Sequence, residues 1–371
     1  MEKHILVNYL GRKGGGMVYA YEMTKGLLEN GYKVSAIIPQ GIENIEIWKK
    51  LPLCKLYLLN TYNNNFSFIM GTFRLFLKER KRIKSFFEED KIDCIYIPMI
   101  QPWTGFVNKI FKKAVIFTTL HDPRPHPGSG KIMNKLYKDV TEASDEIILL
   151  SSEFIDYTSE HYRFSKEKIH VIPHGVFDYY SAHSNGKIKD KIDRSDYNFL
   201  FFGRITPYKG LNLLAEAYEK LYKENKNISL TVVGSGNFAP YEKSFPIEKN
   251  ILIVNEYIPD EDVSLYFQGK NIITVLPYTD ATQSGVIPIA MKEKSLLIVT
   301  DTGALSEQVG YGKYALLCKP DADDLAEKMK EAIKNSEKNL NIINSANTYI
   351  SSLSWKSLSK KLGLLLEGKE L

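Results

Sequence analysis

The strongest constraint on what this chain can fold into is a device that occurs twice: an apolar run that ends in glycines and cations and then opens a helix. Near the start, Ile5-Leu6-Val7 runs into Gly11-Arg12-Lys13-Gly14-Gly15-Gly16, and a helical pattern follows from Met17 to Asn30, closed by Gly31. In the second half, Asn198-Phe199-Leu200-Phe201-Phe202 runs into Gly203-Arg204-Ile205-Thr206-Pro207-Tyr208-Lys209-Gly210. There Leu211, Leu214, Ala215, Tyr218, Leu221 and Tyr222 share one helical face. A buried strand followed by a returning helix is the repeating unit of a parallel sheet. Two such beginnings in 371 residues, more than one hydrophobic core usually serves, predict two α/β domains.

The rest of the pattern agrees. Apolar runs at 33–38, 93–97, 115–119, 146–150 and 169–172 continue the first alternation, and runs at 229–233, 251–255, 271–276 and 295–300 continue the second. Between them, 181–197 is polar and charge-rich, as a linker is. The expected domains are 1–180 and 195–350. Apolar residues at 44% and charged residues at 25% are ordinary for a globular chain. Cys54, Cys94 and Cys318 are scattered, with no partner at metal-ligand or disulfide spacing, which fits a reducing compartment. Met1-Glu2-Lys3-His4 leads straight into Ile5, leaving no room for a signal peptide, and no apolar run reaches the length of a membrane span. A cytoplasmic location is expected.

Several turns have the composition of a binding site. Amides at the Gly14, Gly15 and Gly16 turn, with the positive end of the following helix, suit an anion or sugar hydroxyls; the other reading is a tight strand-to-helix turn. No G-x-G-x-x-G fits this stretch, and Pro39-Gln40 stands where a dinucleotide site needs an acid, so a nicotinamide dehydrogenase is disfavoured. Arg204 and Lys209 lie five residues apart between a strand and a helix, placed to converge on one diphosphate unless both are simply solvated. After the run at 115–119 comes His121-Asp122-Pro123-Arg124-Pro125-His126, a polar loop at a strand's C-terminal end, where ligands bind in such sheets. Asp321-Ala322-Asp323 superficially matches a metal-binding Asp-x-Asp, but its place before a helical stripe (Leu325, Met329, Ile333) favours capping. No carboxylate cluster calls for a metal, and no cofactor is expected.

These motifs closely resemble those of a family-4 retaining glycosyltransferase of the GT-B fold, whose second domain carries Gly-Arg, a spacer and Lys-Gly. Ile172-Pro173-His174-Gly175-Val176, Val232-Val233-Gly234-Ser235-Gly236 and Asn255-Glu256-Tyr257-Ile258-Pro259 resemble further segments of that family. The resemblance implies two Rossmann-like domains facing each other across a cleft, with the last helix, within 354–371, returning to the first. It implies a nucleotide diphosphate sugar donor, UDP- or GDP-linked, and a glycan or lipid-linked acceptor. It also implies metal-independent transfer with retention, in surface polysaccharide or glycolipid assembly. Arg204 and Lys209 would hold the leaving diphosphate beside Gly203; His121 would contact the transferred sugar, with Asp122 orienting a hydroxyl. Tyr257 and Ile258 would read the base by their backbone, before a helix capped at Asp260.

One departure stands out. The family usually has a Glu, seven residues, and a second Glu before Ala-Met; counting back from Ala290-Met291, Ala281 and Ile289 occupy those places. Ala281-Thr282-Gln283-Ser284-Gly285-Val286 resembles a variant seen in some of these enzymes. Thr282, Gln283, Ser284, Gly285 and Val286 would then meet the donor through free helix-start amides and short polar side chains. Alternative readings are a non-catalytic, membrane-recruited sugar-nucleotide binder and a sugar-nucleotide epimerase or phosphorylase.

The net charge of +5 is uneven: residues 1–180 carry 25 Lys and Arg against 20 Asp and Glu, and residues 181–371 carry 24 of each. Much of the excess lies in 73–87, where Arg74, Lys78, Arg80, Lys81, Arg82 and Lys84 alternate with Leu75, Phe76, Leu77, Ile83, Phe86 and Phe87. This reads as a basic amphipathic helix, either the solvated face of a core helix or an element for an anionic membrane surface, which Lys109, Phe111, Lys112 and Lys113 would extend. No nucleic-acid reader motif accompanies these cations, and no nucleic-acid partner is expected.

Overall fold

Two parallel sheets carry the chain. In the first, β1 (His4–Asn8), β2 (Lys33–Pro39), β3 (Leu56–Leu59), β4 (Cys94–Ile97), β5 (Val115–Leu120), β6 (Glu146–Leu149) and β7 (Ile169–Val171) lie in the order β3-β2-β1-β4-β5-β6-β7. In the second, β8 (Tyr197–Phe202), β9 (Ile228–Val233), β10 (Ile251–Val254), β11 (Ile272–Leu276), β12 (Leu296–Thr300) and β13 (Leu316–Cys318) lie in the order β10-β9-β8-β11-β12-β13. The computed structural model describes residues 3–62, 65–124, 131–176, 180, 196–269, 271–334 and 336–369. The expected linker falls almost wholly outside these residues, as does His126.

The central strands are buried end to end, as β1 (Ile5, Leu6 and Val7 fully covered) and β12 illustrate, because helices cover both faces of a parallel sheet. Sequence patterning misses β3 and β13, which are edge strands of only four and three residues with partly exposed positions.

The chain divides into two compact units. One runs to Pro173 and takes in the segment from Trp355 onward; the other spans His174–Ser354. In the first unit, helix Trp355–Leu366 packs on helix Gly15–Glu29. Asn30 Nδ2 donates to the Lys356 carbonyl at 2.8 Å, the Tyr19 and Trp355 rings meet edge-on at 5.4 Å, and a Cβ at Gly26 would collide with Ser359.

Two local expectations are corrected. The stretch 73–87 is not one α-helix: a π turn, Leu75–Glu79, separates helix Asn65–Arg74 from helix Arg80–Phe86. Gly71, Leu75, Glu79, Ile83 and Phe87 are buried, a strict four-residue repeat. Such a repeat overshoots a 3.6-residue turn at every step, and the wider turn absorbs the excess. Glu79 sits there with Tyr57 donating at 2.8 Å and Arg82 bridging at 2.8 Å. The helix after Tyr257-Ile258 is a single turn, Asp260–Val263, preceded by Pro259 with no side-chain cap, so Asp260 is its first residue and not its cap.

Candidate functional site

In each sheet the strand order reverses direction between two neighbours, β1 and β4 in the first unit, β8 and β11 in the second. At such a point the loops after the two strands diverge to opposite faces and leave a crevice at the strands' C-terminal ends. In the second unit, the loops that follow β8 and β11 are the Gly203–Gly210 and Pro277–Val286 segments.

Glycines let these loops touch. Gly210 has φ +70°, and a Cβ there would overlap the Pro277 carbonyl oxygen; Gly234, φ +139°, faces the Gly203 carbonyl in the same way. The loops are tied by the Thr279 N–H, which donates to the Tyr208 carbonyl at 2.8 Å. Lys209 Nζ consequently lies 3.5 Å from the centroid of the buried Tyr278 ring and 5.2 Å from that of Tyr208. An ammonium over an aromatic face is held there electrostatically by the ring's quadrupole. Burial pushes the Tyr278 phenol up to about 12, so it stays a neutral donor, 3.4 Å from Ser284 Oγ. Arg204 is exposed. A Cβ on Gly203 would come within 4.0 Å of both Tyr278 Oη and Val286 Cγ2. The structure thus brings Gly203, Lys209, Ser284 and Val286 together within one unit.

The turn into helix Val286–Lys292 differs from expectation in one respect: its amides are not all free. Gln308 clamps Ser284 from both sides, its Oε1 accepting from the Ser284 N–H at 2.9 Å and its Nε2 donating to the Ser284 carbonyl at 2.8 Å. The Val286 N–H donates to Ser284 Oγ at 3.3 Å. Thr282 is buried, and Gly285 immediately precedes the helix. Two polar atoms here, Gln283 Oε1 and Thr206 Oγ1, are covered and accept or donate no hydrogen bond among the described residues. Tyr257 is exposed and Ile258 buried after β10, two strands from β8. The intervening turn reaches the first loop: Asn255 Oδ1 accepts from the Gly236 N–H at 3.2 Å, and Gly236 bridges Ile205.

In the first unit, Gly14 (φ +76°) and Gly15 have open space where a Cβ would sit, whereas a Cβ at Gly16 would press on Met99 Sδ. His121, directly after β5, is buried edge-on to Tyr19, ring centroids 4.6 Å apart. Its Nε2–H donates to the Pro98 carbonyl at 2.9 Å, because a carbonyl can only accept, and the neutral ring then has its lone pair on Nδ1. Burial lowers the His121 pKa, opposed by neighbouring Asp122 and the Pro98 hydrogen bond, so the ring is neutral at pH 7. Asp122 is half-buried beside it.

The Asp-x-Asp stretch is a helix cap: Asp321 Oδ1 accepts from the Asp323 and Asp324 N–H groups at 2.9 and 3.1 Å, at the start of helix Ala322–Lys334. Among the described residues no three His, Cys, Asp or Glu side chains gather as a metal site would need. Sequence reasoning missed Tyr278 and Gln308 as parts of the constellation. Tyr278 had a signal, its position two residues past β11 at the reversal point. Gln308 had none, since it meets Ser284 only through the packing of a separate short helix.

Comparison with known proteins agrees with this architecture. Residues 13–177 match the family model described as Glycosyltransferase Family 4, and residues 185–349 match that described as Glycosyl transferases group 1. A glycosyltransferase of Methanocaldococcus jannaschii is 26% identical over 282 residues, covering 74% of each chain. Among solved structures, a glycosyltransferase from Rickettsia africae superposes with a TM-score of 0.72 at 17% identity over 99% of both chains. Anabaena HepE in complex with UDP and glucose superposes with a TM-score of 0.71 at 13% identity, over 97% of this chain and 99% of that one. The two family models between them take in nearly all of both units, and the chain is a family-4-type glycosyltransferase of the GT-B fold.

Proposed function

We propose that the enzyme transfers a hexosyl group from a UDP- or GDP-sugar to a glycan or lipid-linked acceptor, with retention and without a metal, at the inner face of a membrane. The observation that carries this reading is the meeting of Lys209, Tyr278 and the Ser284–Val286 turn beside the exposed Arg204. Breaking the bond between the sugar C1 and the β-phosphate oxygen leaves negative charge on the diphosphate. Fixed cations stabilise that charge more in the transition state than in the bound donor, which is what accelerates the step. Arg204 and Lys209 take this role. The acceptor hydroxyl attacks C1 on the face the diphosphate leaves, and its proton passes to the departing phosphate oxygen.

Gly203 admits the diphosphate, the half-buried Gln283 side chain meets the donor, and the backbones at Tyr257 and Ile258 read the base. Thr282 and Gly285 hold the turn. In the first unit, neutral His121, its Nε2–H given to the Pro98 carbonyl, accepts from a sugar hydroxyl at Nδ1, with Asp122 and the Gly14–Gly16 amides orienting donor sugar and acceptor. Solved HepE with UDP supports a uridine donor first, although its likeness to this chain is one of fold.

The test is a thermal-shift panel of UDP-, GDP- and ADP-sugars on the full chain, followed by nucleotide release with candidate acceptors. A donor present well above its Kd raises stability by roughly 2–4 kcal/mol. Arg204→Ala and Lys209→Ala are each expected to lower kcat about 10²–10³-fold with the unliganded Tm unchanged. Full activity in both variants, or donor binding with no turnover on any acceptor, overturns the reading. Among the described residues no helix is long and apolar enough to cross a membrane, so the membrane part of the proposal rests on surface attachment.

A further inference from the structure

On the outer side of helix Asn65–Arg74 and the π turn, Phe66, Ile69, Met70, Phe73, Phe76 and Leu77 are each more than half exposed. They recur at three- and four-residue intervals, so they form one apolar stripe opposite the buried repeat at Gly71, Leu75 and Glu79. Of the apolar residues of 73–87, Leu75, Ile83 and Phe87 are core, so only part of that stretch is available to a surface. The stripe continues into a cavity. Phe76 meets Phe106 edge-on, ring centroids 4.8 Å apart, and Phe106 lines a hollow of about 490 Å³ with Phe111, Leu136 and Val140.

The hollow's lining is mainly apolar, and its charged residues are mainly cations. Arg80, Lys109 and Lys112 line it and are exposed, against one acid, Asp139. None of the three cations makes an ion pair among the described residues. Its size is that of a ligand pocket. It is also remote from His121: Ile116, in its wall, is the second residue of β5, whereas His121 follows that strand's other end, about 16 Å away along an extended chain.

We propose that this hollow is a binding site for an anionic bilayer lipid, one acyl chain lying among Phe106, Phe111, Leu136 and Val140 and the phosphate held by Arg80, Lys109 and Lys112. The apolar stripe enters the interface beside it, so that the protein docks by a stripe and a specific lipid together. Charge complementarity selects this occupant: a second copy of the chain would bring the same cations against these. The inference rests on the surface-attachment part of the proposed function and is independent of glycosyl transfer.

The test uses the full chain in two assays. Co-sedimentation is measured with vesicles of phosphatidylglycerol and phosphatidylcholine and with phosphatidylcholine alone; calorimetry follows dodecyl phosphate, kept monomeric, with inorganic phosphate as control. Saturable binding of dodecyl phosphate, absent for inorganic phosphate, is expected. Ala143→Trp, placed in the exposed wall of the hollow, is expected to abolish it while keeping the wild-type Tm. Lys109→Gln with Lys112→Gln is expected to weaken anionic-vesicle binding about thirty-fold, the effect of two cations near an anionic surface. Phe73→Ser with Leu77→Ser is expected to weaken vesicle binding and leave dodecyl phosphate binding intact. Anionic-vesicle binding unchanged in Ala143→Trp, with no saturable dodecyl phosphate binding, overturns the lipid site alone. No vesicle binding by the wild type, or a lipid-free dimer that the Phe73 and Leu77 substitutions dissociate, overturns surface attachment itself, while nucleotide release measured separately still reports on glycosyl transfer.

Discussion

The two glycine-rich turns occupy equivalent places in their sheets, after β1 and after β8, yet Gly210 in the second and Gly14 and Gly15 in the first serve opposite ends. At Gly210, and at Gly234 in the neighbouring turn after β9, a side chain would strike a backbone carbonyl, so these glycines let loops of the second unit pack. At Gly14 and Gly15 a Cβ would strike nothing. Bare backbone with open space beside it, at the start of the long helix Gly15–Glu29, is what the proposed cradle for sugar or acceptor requires. The second turn is a packed joint that carries cations; the first is an open cradle.

Substitutions can break this contrast. The largest effect is expected at Gly210→Ala, where a positive φ and a carbonyl collision coincide: a loss of about 4 kcal/mol or more, read as a collapse of the urea midpoint. A near-native midpoint would mean that the joint is loose and the contrast false. Next comes Gln308→Ala, which leaves the Ser284 N–H and carbonyl without their partner; a cost of about 1–3 kcal/mol is expected, with a raised donor KM. Gln308→Glu, which keeps the acceptor and loses the donor, should recover part of the KM.

Acidification probes the first unit through His121. Its folded pKa is depressed by burial, so between that value and the unfolded value near 6.5 the unfolded chain binds more protons. Stability should therefore be whole at pH 7 and fall as pH drops through 6.5 toward the folded pKa. His4, likewise depressed chiefly by burial, contributes in the same direction. Urea midpoints at pH 7.0 and 5.5 for wild type and His121→Gln measure the share of each; an equal slope in both proteins would place the effect elsewhere. The smallest effect on folding is expected at Gly15→Ala: no loss, and a gain of up to about 1 kcal/mol from helix propensity. The same variant should lower kcat/KM for the acceptor, and unchanged kinetics would show that the cradle is only a turn.

Much of this was legible in the chain itself. The runs around Ile5, Val34, Phe199 and Val232 are apolar, of strand length and followed by glycine-bearing turns, which reads as buried parallel strands. Edge strands β3 and β13 were not legible, because a strand of three or four residues with a half-exposed face has no period to read. Arg204, Lys209 and the Gly203–Gly210 spacing were visible as a motif. Tyr278 beneath Lys209, and Gln308 holding Ser284, were not, for both depend on how loops after different strands fold together. The basic stretch 73–87 was visible as charge, but which of its apolar residues face outward was decided by the π turn.

Local order along the chain, strand then glycine then helix, thus determined the fold class, the division in two and the placing of Arg204 and Lys209 between a strand and a helix, because these follow from periodicity and backbone freedom within a few residues. Tertiary structure alone decided which amides are already taken, which ammonium rests on which ring, and where an apolar stripe meets a hollow. Those are contacts between segments far apart in sequence, set by packing geometry that no local pattern encodes.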